Sequence, residues 1–173
     1  MQKERKKKRI TTKTVCAVGL LVALSVGIGW VCKTYLTFGA IRVTFENMPV
    51  ILSGLLFGPW VGACAGVLSD AVSCITSPNP ALNPIISAGA ALMGFIPGVI
   101  SRIFKRKNRT AVVWISVFLS HTLGSMIVKS IGLHVFFGYG IEVLIWRLPL
   151  YIMISLCEAV ILSAIMKTKY IRR

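Results

Sequence analysis

The sequence predicts an all-α membrane protein, a bundle of six transmembrane helices with both termini in the cytoplasm. Of its 173 residues, 55% are hydrophobic, which is more apolar surface than a water-soluble domain of this length needs. The charged residues are grouped, so that long stretches carry one charge or none, as a hydrocarbon environment favours. We therefore expect one integral membrane domain over residues 1–173, with a basic segment at 1–11, the bundle at about 12–166 and a basic tail at 167–173.

Six apolar runs account for the predicted helices. In chain order they cover about 12–34, 41–57, 59–75, 82–102, 111–133 and 141–166. Each is close to the roughly 20 residues with which a helix crosses a bilayer. The second and third runs are short and meet at Gly58-Pro59, a strong turn signal, so one bent segment is the alternative to two separate spans.

The first run, Val15 to Val31, follows a basic segment, which is also the pattern of a secretory signal peptide. The run is long for the apolar part of such a signal, and further apolar runs follow it. A retained first transmembrane helix is therefore the expected structure.

The basic residues give the expected orientation. Sixteen of the twenty lysines and arginines lie in three clusters, at 3–13, 102–109 and 167–173, each beside an apolar run. Such clusters mark cytoplasmic segments, and six crossings put all three on one side of the membrane, whereas five put one outside. The same grouping argues against nucleic-acid binding despite a net charge of +15, because the basic residues do not form a stripe on a soluble face.

Four basic residues remain, each predicted near the outer end of a helix: Lys33, Arg42, Lys129 and Arg147. Charges at membrane depth are costly, so they face the bundle interior or reach for the interface. Binding of an anionic ligand is one explanation for them. The rival explanation is an internal ion-pair network in which Arg42 meets Glu46. In the same network Arg147 meets Glu142.

The predicted outer loops combine amides with aromatic side chains. The segment 77–84 holds Asn79 and Asn83 among prolines, which places amide donors and acceptors on a restricted backbone. Aromatic residues expected at the same level are Trp30, Tyr35, Phe38, Phe45, Phe136, Phe137, Tyr139 and Trp146. A belt at the membrane interface explains most of them, and a planar ligand stacked on one or two explains the rest.

Small residues recur at helical spacing in three of the predicted helices. They are Gly19, Ala23 and Gly27 in the first, Gly58, Gly62 and Gly66 in the third, and Gly89 and Gly94 in the fourth. Small faces let helices approach closely, so packing within the bundle is the simplest explanation. For the first helix, docking onto another membrane subunit is the alternative.

The sequence lacks the motifs of the common enzyme classes. It has no GxxxxGK[ST] phosphate loop, no HExxH and no GxSxG. Its five cysteines show neither metal-binding spacing nor a disulfide framework, and we predict no cofactor or metal. We expect His121 and His134 each to be buried and hydrogen-bonded, and Asp70 to pair with a basic residue or an amide rather than to relay protons.

A series of short motifs carries a family resemblance. They are Arg42-Val43-Thr44-Phe45-Glu46-Asn47-Met48-Pro49, Gly54-Leu55-Leu56-Phe57-Gly58-Pro59 with Gly62, Gly66 and Asp70, then Asn83-Pro84, Gly94-Phe95-Ile96-Pro97-Gly98 and Arg147-Leu148-Pro149. In these motifs the chain resembles the substrate-binding S components of energy-coupling factor (ECF) vitamin transporters, and most of all their folate-specific branch. The block at 42–98 is more specific for the class than for the vitamin.

The resemblance implies a subunit of the bacterial plasma membrane that binds its vitamin from outside with high affinity. It implies three partners, a transmembrane coupling subunit and two cytoplasmic ATPases, so that ATP hydrolysis belongs to the partners and the chain is not an enzyme. Family members dock through small residues on the first helix, commonly AxxxA. This chain has Gly19, Ala23 and Gly27 there instead, and these are the expected docking residues.

Folate is the ligand that the resemblance favours, and it has a flat pterin and a tail with two carboxylates. The expected substrate-binding residues are Arg42, Glu46, Asn79, Asn83, Lys129, Trp146 and Arg147. Arginine grips carboxylates bidentately, and asparagine matches the donor and acceptor edge of a pterin. Pantothenate is the nearest alternative vitamin. A membrane enzyme or a non-transporting structural subunit is the alternative from a different class.

Overall fold

A computed structural model describes residues 11–38, 41–76, 83–104, 109–138 and 140–167. Its elements are α1 (Thr12–Tyr35), β1 (Thr37–Phe38), β2 (Ile41–Arg42), α2 (Asn47–Phe57), α3 (Pro59–Ile75), α4 (Pro84–Ile103), α5 (Arg109–Ser120), a π-helical segment (His121–Lys129), α6 (Ser130–Phe137) and α7 (Ile141–Lys167). From α5 to α6 the helix is continuous over Arg109–Phe137, and we call it the fifth rod. The chain thus forms six helical rods, as the sequence predicted.

Four of the rods are long and apolar enough to cross a bilayer: α1, α4, the fifth rod and α7 from Ile145 onwards. Helix α3 has 17 residues and α2 has 11. At 1.5 Å per residue α2 covers about half of a bilayer core of about 30 Å. The prediction of a helix of spanning length over 41–57 is therefore wrong for this element.

Helix α2 is shorter than predicted because the residues before it form other local structure. Residues 41–42 pair with β1 in a small antiparallel hairpin, in the register Thr37 to Arg42 and Phe38 to Ile41. Beyond it, the Glu46 N–H donates to Thr44 Oγ1 at 3.2 Å, a local turn that competes with helix. An apolar run indicates burial but does not distinguish a strand or a turn from a helix. The predicted start of this helix, at residue 41, was therefore too early.

Helices α2 and α3 are two separate helices that fold back on each other. Gly58 joins them at φ +101°, a backbone conformation that favours glycine, and Pro59 occupies the first turn of α3. Gly54 and Gly62, four residues on either side of Gly58, meet across the turn, because a Cβ on Gly62 would lie 2.6 Å from the Gly54 Cα. The sequence had left open a single bent segment, and the structure excludes it.

Helix α4 crosses α3 closely at the glycines. A Cβ on Gly94 would lie 3.0 Å from the Gly62 Cα, and a Cβ on Gly66 would lie 2.7 Å from the Ala90 carbonyl carbon. Backbone meets backbone along this crossing, so the small residues of α3 and α4 pack within the bundle, as expected.

The bundle has two ends with different contents. At the end that we call upper, α1 leads through the hairpin to α2, and Asn83 of α4 lies close enough to donate to the Gly132 carbonyl at 3.3 Å. The Gly58 turn lies at the opposite, lower end, where Arg102 approaches it. Apolar side chains fill the interior towards the lower end, including Ile51, Met93, Val117 and Leu162. The half-buried charged side chains Glu46, Asp70 and Lys129 lie in the upper half.

Candidate functional site

A small polar cavity lies in the upper half, where α1, α2, α3, α4 and the π-helical segment converge. Its polar lining residues are Ser25, Glu46, Asn47, Ser69, Asp70, Ser73 and Lys129. The cavity has a volume of about 20 Å³, which is roughly the room that one water molecule needs. We call it the upper cavity.

Serine hydroxyls join three helices at one wall of the upper cavity. The Ser25 hydroxyl of α1 donates to the main-chain carbonyl of Glu46, at the start of α2. The same hydroxyl lies 2.6 Å from the Ser69 hydroxyl of α3, and both side chains are buried. These bonds fix the main chain from which the Glu46 side chain projects.

The Glu46 carboxylate reaches α1 at a glycine. A Cβ on Gly29 would lie 2.5 Å from Glu46 Oε2, so any larger residue at this position would displace the carboxylate. Gly29 is itself buried within the contact between α1 and α2. The placement of Glu46, within the motif at 42–49, therefore depends on a glycine seventeen positions before it, which spacing alone does not reveal.

Two further charged side chains border the upper cavity. Asp70 Oδ2 accepts a hydrogen bond of 2.6 Å from the Ser87 hydroxyl, which ties α3 to α4. Lys129 Nζ donates to Asn47 Oδ1 at 3.4 Å, which ties the fifth rod to α2. The expected partner of Asp70 was a basic residue or an amide, and the structure shows a hydroxyl instead. The Asp70 carboxylate accepts this one hydrogen bond and has further lone pairs with which it can accept from another donor.

The cavity thus combines two carboxylates with one ammonium group. Glu46, Asp70 and Lys129 are all half-buried, so their hydrogen bonds are screened less than those of surface groups. Carboxylates accept N–H donors, and an ammonium group donates to anionic oxygens, in both cases with charge assistance. The arrangement suits an uncharged heterocycle with N–H donors that also carries an acidic group.

The structure brings two of the predicted substrate-binding residues, Glu46 and Lys129, to the upper cavity. Asn83 does not line it. Its side chain instead caps α4 by accepting from the Ile85 and Ile86 N–H groups, and it is only 4% exposed. Trp146 is 67% exposed on the outside of α7.

Arg147 lies on α7 away from the cavity lining. Its guanidinium donates to the Tyr151 hydroxyl at 2.6 Å and lies 5.3 Å from the centre of that ring. For Arg42 only the main chain, at the end of β2, is described. Asn79 lies outside the described residues. Their roles as ligand contacts stay predictions.

Sequence reasoning missed Asn47, Ser25 and Ser69 as members of the site. Asn47 belongs to the Glu46-Asn47 motif, and its amide oxygen faces Lys129, so the motif was a usable signal. The serines carried none, because isolated serines are common in membrane helices and their function depends on which helix they face. Their pairing follows from the tertiary arrangement of α1 against α3.

The expected docking residues lie on the outside of α1. Gly19, Ala23 and Gly27 are exposed, and Cβ atoms on the two glycines would meet nothing within 4 Å. The buried residues of α1 are Ser25, Gly29 and Cys32, on another face of the helix. Among the described residues, the small residues of α1 therefore do not serve packing within the bundle.

Comparison with known proteins places the fold in a family. The family model "ECF transporter, substrate-specific component" matches residues 13–168. The folate transporter FolT of Clostridium novyi is 29% identical over 106 residues, which are 60% of this chain and 59% of that protein. The biotin transporter BioY of Rhodobacter capsulatus is 29% identical over 123 residues, 67% of this chain and 64% of that protein. The chain thus spans about three fifths of the length of these relatives.

A solved structure shares the fold. The crystal structure of FolT bound with folic acid has a TM-score of 0.71 to this chain, at 20% identity, over 87% of this chain and 90% of that one. The family match covers all six helical rods, which confirms the resemblance to S components. This chain belongs to the substrate-specific components of ECF transporters.

Proposed function

We propose that this protein is the vitamin-binding subunit of a bacterial ECF importer and that folate is its ligand. The observation that carries the proposal is the upper cavity, which joins Glu46 and Asp70 with Lys129. The similarity to a folate transporter, in sequence and in fold, supports the choice of vitamin.

The chemistry of folate matches this cavity in two respects. Its pterin presents an amino group and a ring N–H side by side, which a carboxylate can accept as a pair. Its glutamate tail carries two carboxylates, for which Lys129 and the arginines near the upper end are candidate partners. Biotin and pantothenate each carry one carboxylate, and neither has an aromatic heterocycle with such a donor edge.

Binding requires the upper cavity to widen. Ligand sites for molecules of this class measure roughly 300–1,000 Å³, far more than the present 20 Å³. Residues 43–46 lead into α2 at the cavity, and we propose that this connection moves outward to admit the vitamin and closes over it. In that closed state Asn79 and Arg42 would approach the ligand.

Transport requires partners, and we propose the set that the family uses. A transmembrane coupling subunit would dock on α1, and two cytoplasmic ATPases would supply the energy, so that this chain itself performs no catalysis. The chain would lie in the plasma membrane with both termini and the 102–109 segment in the cytoplasm, which opens the upper cavity to the outside.

The test is a direct titration of the detergent-purified protein with folic acid, biotin and pantothenate by calorimetry. We expect folic acid to bind most tightly, and Asp70→Asn and Lys129→Met each to weaken it by about tenfold or more, the loss of one charge-assisted hydrogen bond. Lys167→Met, which removes an exposed charge at the lower end, is the matched control and should bind as wild type. Preferential binding of biotin or pantothenate would reassign the vitamin.

A further inference from the structure

The fifth rod changes its helical geometry in the middle. Nine residues, His121–Lys129, form a π-helix between α5 and α6. Such segments are uncommon and are frequently found at functional sites. A π segment holds an extra residue compared with α-helix, and one residue of α-helix turns by about 100°. If the segment relaxed to α-helix, side chains beyond it would rotate by about this angle relative to those before it.

The π-helical segment begins at a buried hydrogen bond. His121 Nε2 lies 2.7 Å from Glu158 Oε2 of α7, and the two side chains are 1% and 0% exposed. The prediction that His121 is buried and hydrogen-bonded is confirmed, whereas the prediction that His134 is buried is wrong, because its side chain is exposed. Glu158 had not been singled out. Neither residue lines the upper cavity.

Stability alone explains this pair poorly. Within the described part of the chain, His121 Nδ1 and Glu158 Oε1 are buried without a hydrogen-bond partner, as are the hydroxyls of Ser116 and Ser120. Buried polar atoms without partners cost free energy, and apolar residues of similar volume often replace a buried pair without loss of stability. Because burial of the His121–Glu158 pair costs free energy, we look for its role in the geometry of the π-helical segment that begins at His121.

The π-helical segment ends in the upper cavity, at Lys129, whose ammonium group donates to Asn47. Between the two ends, the segment lies against α4, because a Cβ on Gly124 would lie 2.7 Å from Met93 Sδ and 3.0 Å from the Gly89 carbonyl oxygen. At Gly89 the contact is with the α4 backbone, which yields less readily than a side chain does. His121 and Lys129 are the two ends of the same π-helical segment, so the direction of Lys129 depends on how that segment is wound from His121 onwards.

We propose that Glu158 is a positioning residue for ligand binding: through His121 it fixes the π-helical register and so directs Lys129 into the upper cavity. The effect of Glu158 on ligand binding rests on the proposed function, whereas its effect on the position of Lys129 does not. Glu158 touches no ligand itself. The π-helical segment carries its influence along the rod from the middle of the bundle to the upper cavity.

The first experiment measures the placement of Lys129 without any ligand. Purified protein with its natural cysteines replaced carries Lys129→Cys, and the rate of its reaction with a maleimide is compared with and without Glu158→Met. Ser73→Cys, on α3 in the same cavity, is the matched control. We expect Glu158→Met to change the rate at position 129 by severalfold and to leave position 73 unchanged. Glu158→Gln, whose amide oxygen still accepts from His121, should restore the wild-type rate.

An unchanged reaction rate at position 129 would overturn the proposal. An equal change of the rates at positions 129 and 73 would also overturn it, because it would indicate a general loosening of the bundle. If Glu158→Met does not fold, the double variant His121→Phe with Glu158→Met replaces the polar pair by apolar side chains and serves in its place. This double variant leaves no unpaired polar group of the pair, and the same two rates decide the outcome.

The second experiment is a double-mutant cycle on folic acid affinity. Glu158→Met should weaken binding by about tenfold in the wild-type background and by less than about twofold in the Lys129→Met background, because its effect passes through that lysine. Equal losses in both backgrounds would refute the coupling. If the wild-type protein does not bind folic acid but the rate at position 129 still responds, the choice of vitamin fails and the positioning role of Glu158 stands.

Discussion

At the scale of single residues, Arg147 shows how a membrane-depth charge is accommodated. The sequence left two explanations open, a ligand contact and an ion pair with Glu142. Within the described residues its hydrogen bond goes instead to the hydroxyl of Tyr151, one helical turn further along α7. Tyr151 is buried, so its hydroxyl needs this partner, while the guanidinium is half-buried and keeps further N–H donors.

We predict that Arg42→Ala or Arg147→Ala loses folic acid affinity with little loss of stability in the ligand-free protein. A charge-assisted hydrogen bond contributes about 1.5–3 kcal/mol, so the dissociation constant should rise roughly 10- to 150-fold. Arg→Lys keeps the charge but not the planar fork and should recover only part of the affinity. Calorimetry and thermal unfolding of the ligand-free variants are the measurements.

The control for Arg147 is Tyr151→Phe, which removes the same internal hydrogen bond and keeps the arginine. If Arg147→Ala and Tyr151→Phe lower the unfolding temperature equally and neither affects binding, the arginine acts in the structure alone. Wild-type affinity in both Arg42→Ala and Arg147→Ala would exclude a ligand role for either residue.

Charges in the site were easier to predict than neutral polar groups. Glu46 and Lys129 stood out in the sequence because a charge within an apolar run is costly and must have a partner or a function. Asn83 also stood out, but its amide caps α4 and bonds Gly132, because a helix that starts within the bundle must satisfy its first N–H groups. Glu158 lies in an equally apolar run, and the same argument applied to it would have marked it.

At the scale of elements, the glycine pattern predicted close helix packing but not which helices meet or which face of each takes part. Repeated small residues in the third and fourth predicted helices became the crossing of α3 and α4. The similar pattern in the first predicted helix is exposed on α1. Spacing is the same in both cases, so only the tertiary arrangement separates internal packing from a free face.

We predict that Gly94→Ala destabilises the protein far more than Gly19→Ala. A methyl group at position 94 would overlap the α3 backbone, with the Gly62 Cα 3.0 Å away, and neither helix can move without opening the crossing. Overpacking of this kind costs about 1–3 kcal/mol or more. At position 19 a methyl group meets nothing within 4 Å, and alanine is the better helix former by about 1 kcal/mol.

The measurement is thermal unfolding of both purified variants in the same detergent. Gly94→Ala should lower the unfolding temperature markedly, whereas Gly19→Ala should match or slightly exceed wild type. Equal unfolding temperatures would mean that the crossing yields to a methyl group and that close approach at Gly94 does not stabilise the bundle.

At the scale of the whole molecule, the distribution of charge supports the proposed orientation. Arg102, at the end of α4, approaches the Gly58 turn at the lower end, so this basic residue and the upper cavity lie at opposite ends of the bundle. If the positive-inside rule holds for this chain, the basic segment is cytoplasmic and the cavity faces outward, as uptake requires.

We predict that Asn108→Cys, in a chain without its natural cysteines, resists an impermeant maleimide in intact cells and reacts after permeabilisation. Gly140→Cys at the upper end is the control and should react in intact cells. Efficient labelling of position 108 from outside would overturn the proposed topology, and with it the access of the upper cavity to external vitamin.

The last prediction concerns the partner. Helix α1 is apolar, and many of its side chains are exposed. Its small residues at 19, 23 and 27 are also exposed, and within the described residues no atom lies within 4 Å of a Cβ placed on either glycine. Membrane helices associate through such faces, because small residues allow close backbone approach. We therefore predict that Ala23→Trp abolishes vitamin uptake and co-purification with the coupling subunit while leaving folic acid affinity of the isolated protein unchanged.

The matched control is Val160→Trp, which places the same bulk at an exposed position of α7 and should leave uptake intact. Retained ligand affinity excludes misfolding as the cause of lost uptake, because the wall of the upper cavity is built on α1 through Ser25 and Gly29. In the proposed arrangement one helix faces the ligand on one side and the partner on the other, and a bulky residue should separate the two functions. If the Ala23→Trp protein still assembles with the coupling subunit, docking uses another surface of the bundle.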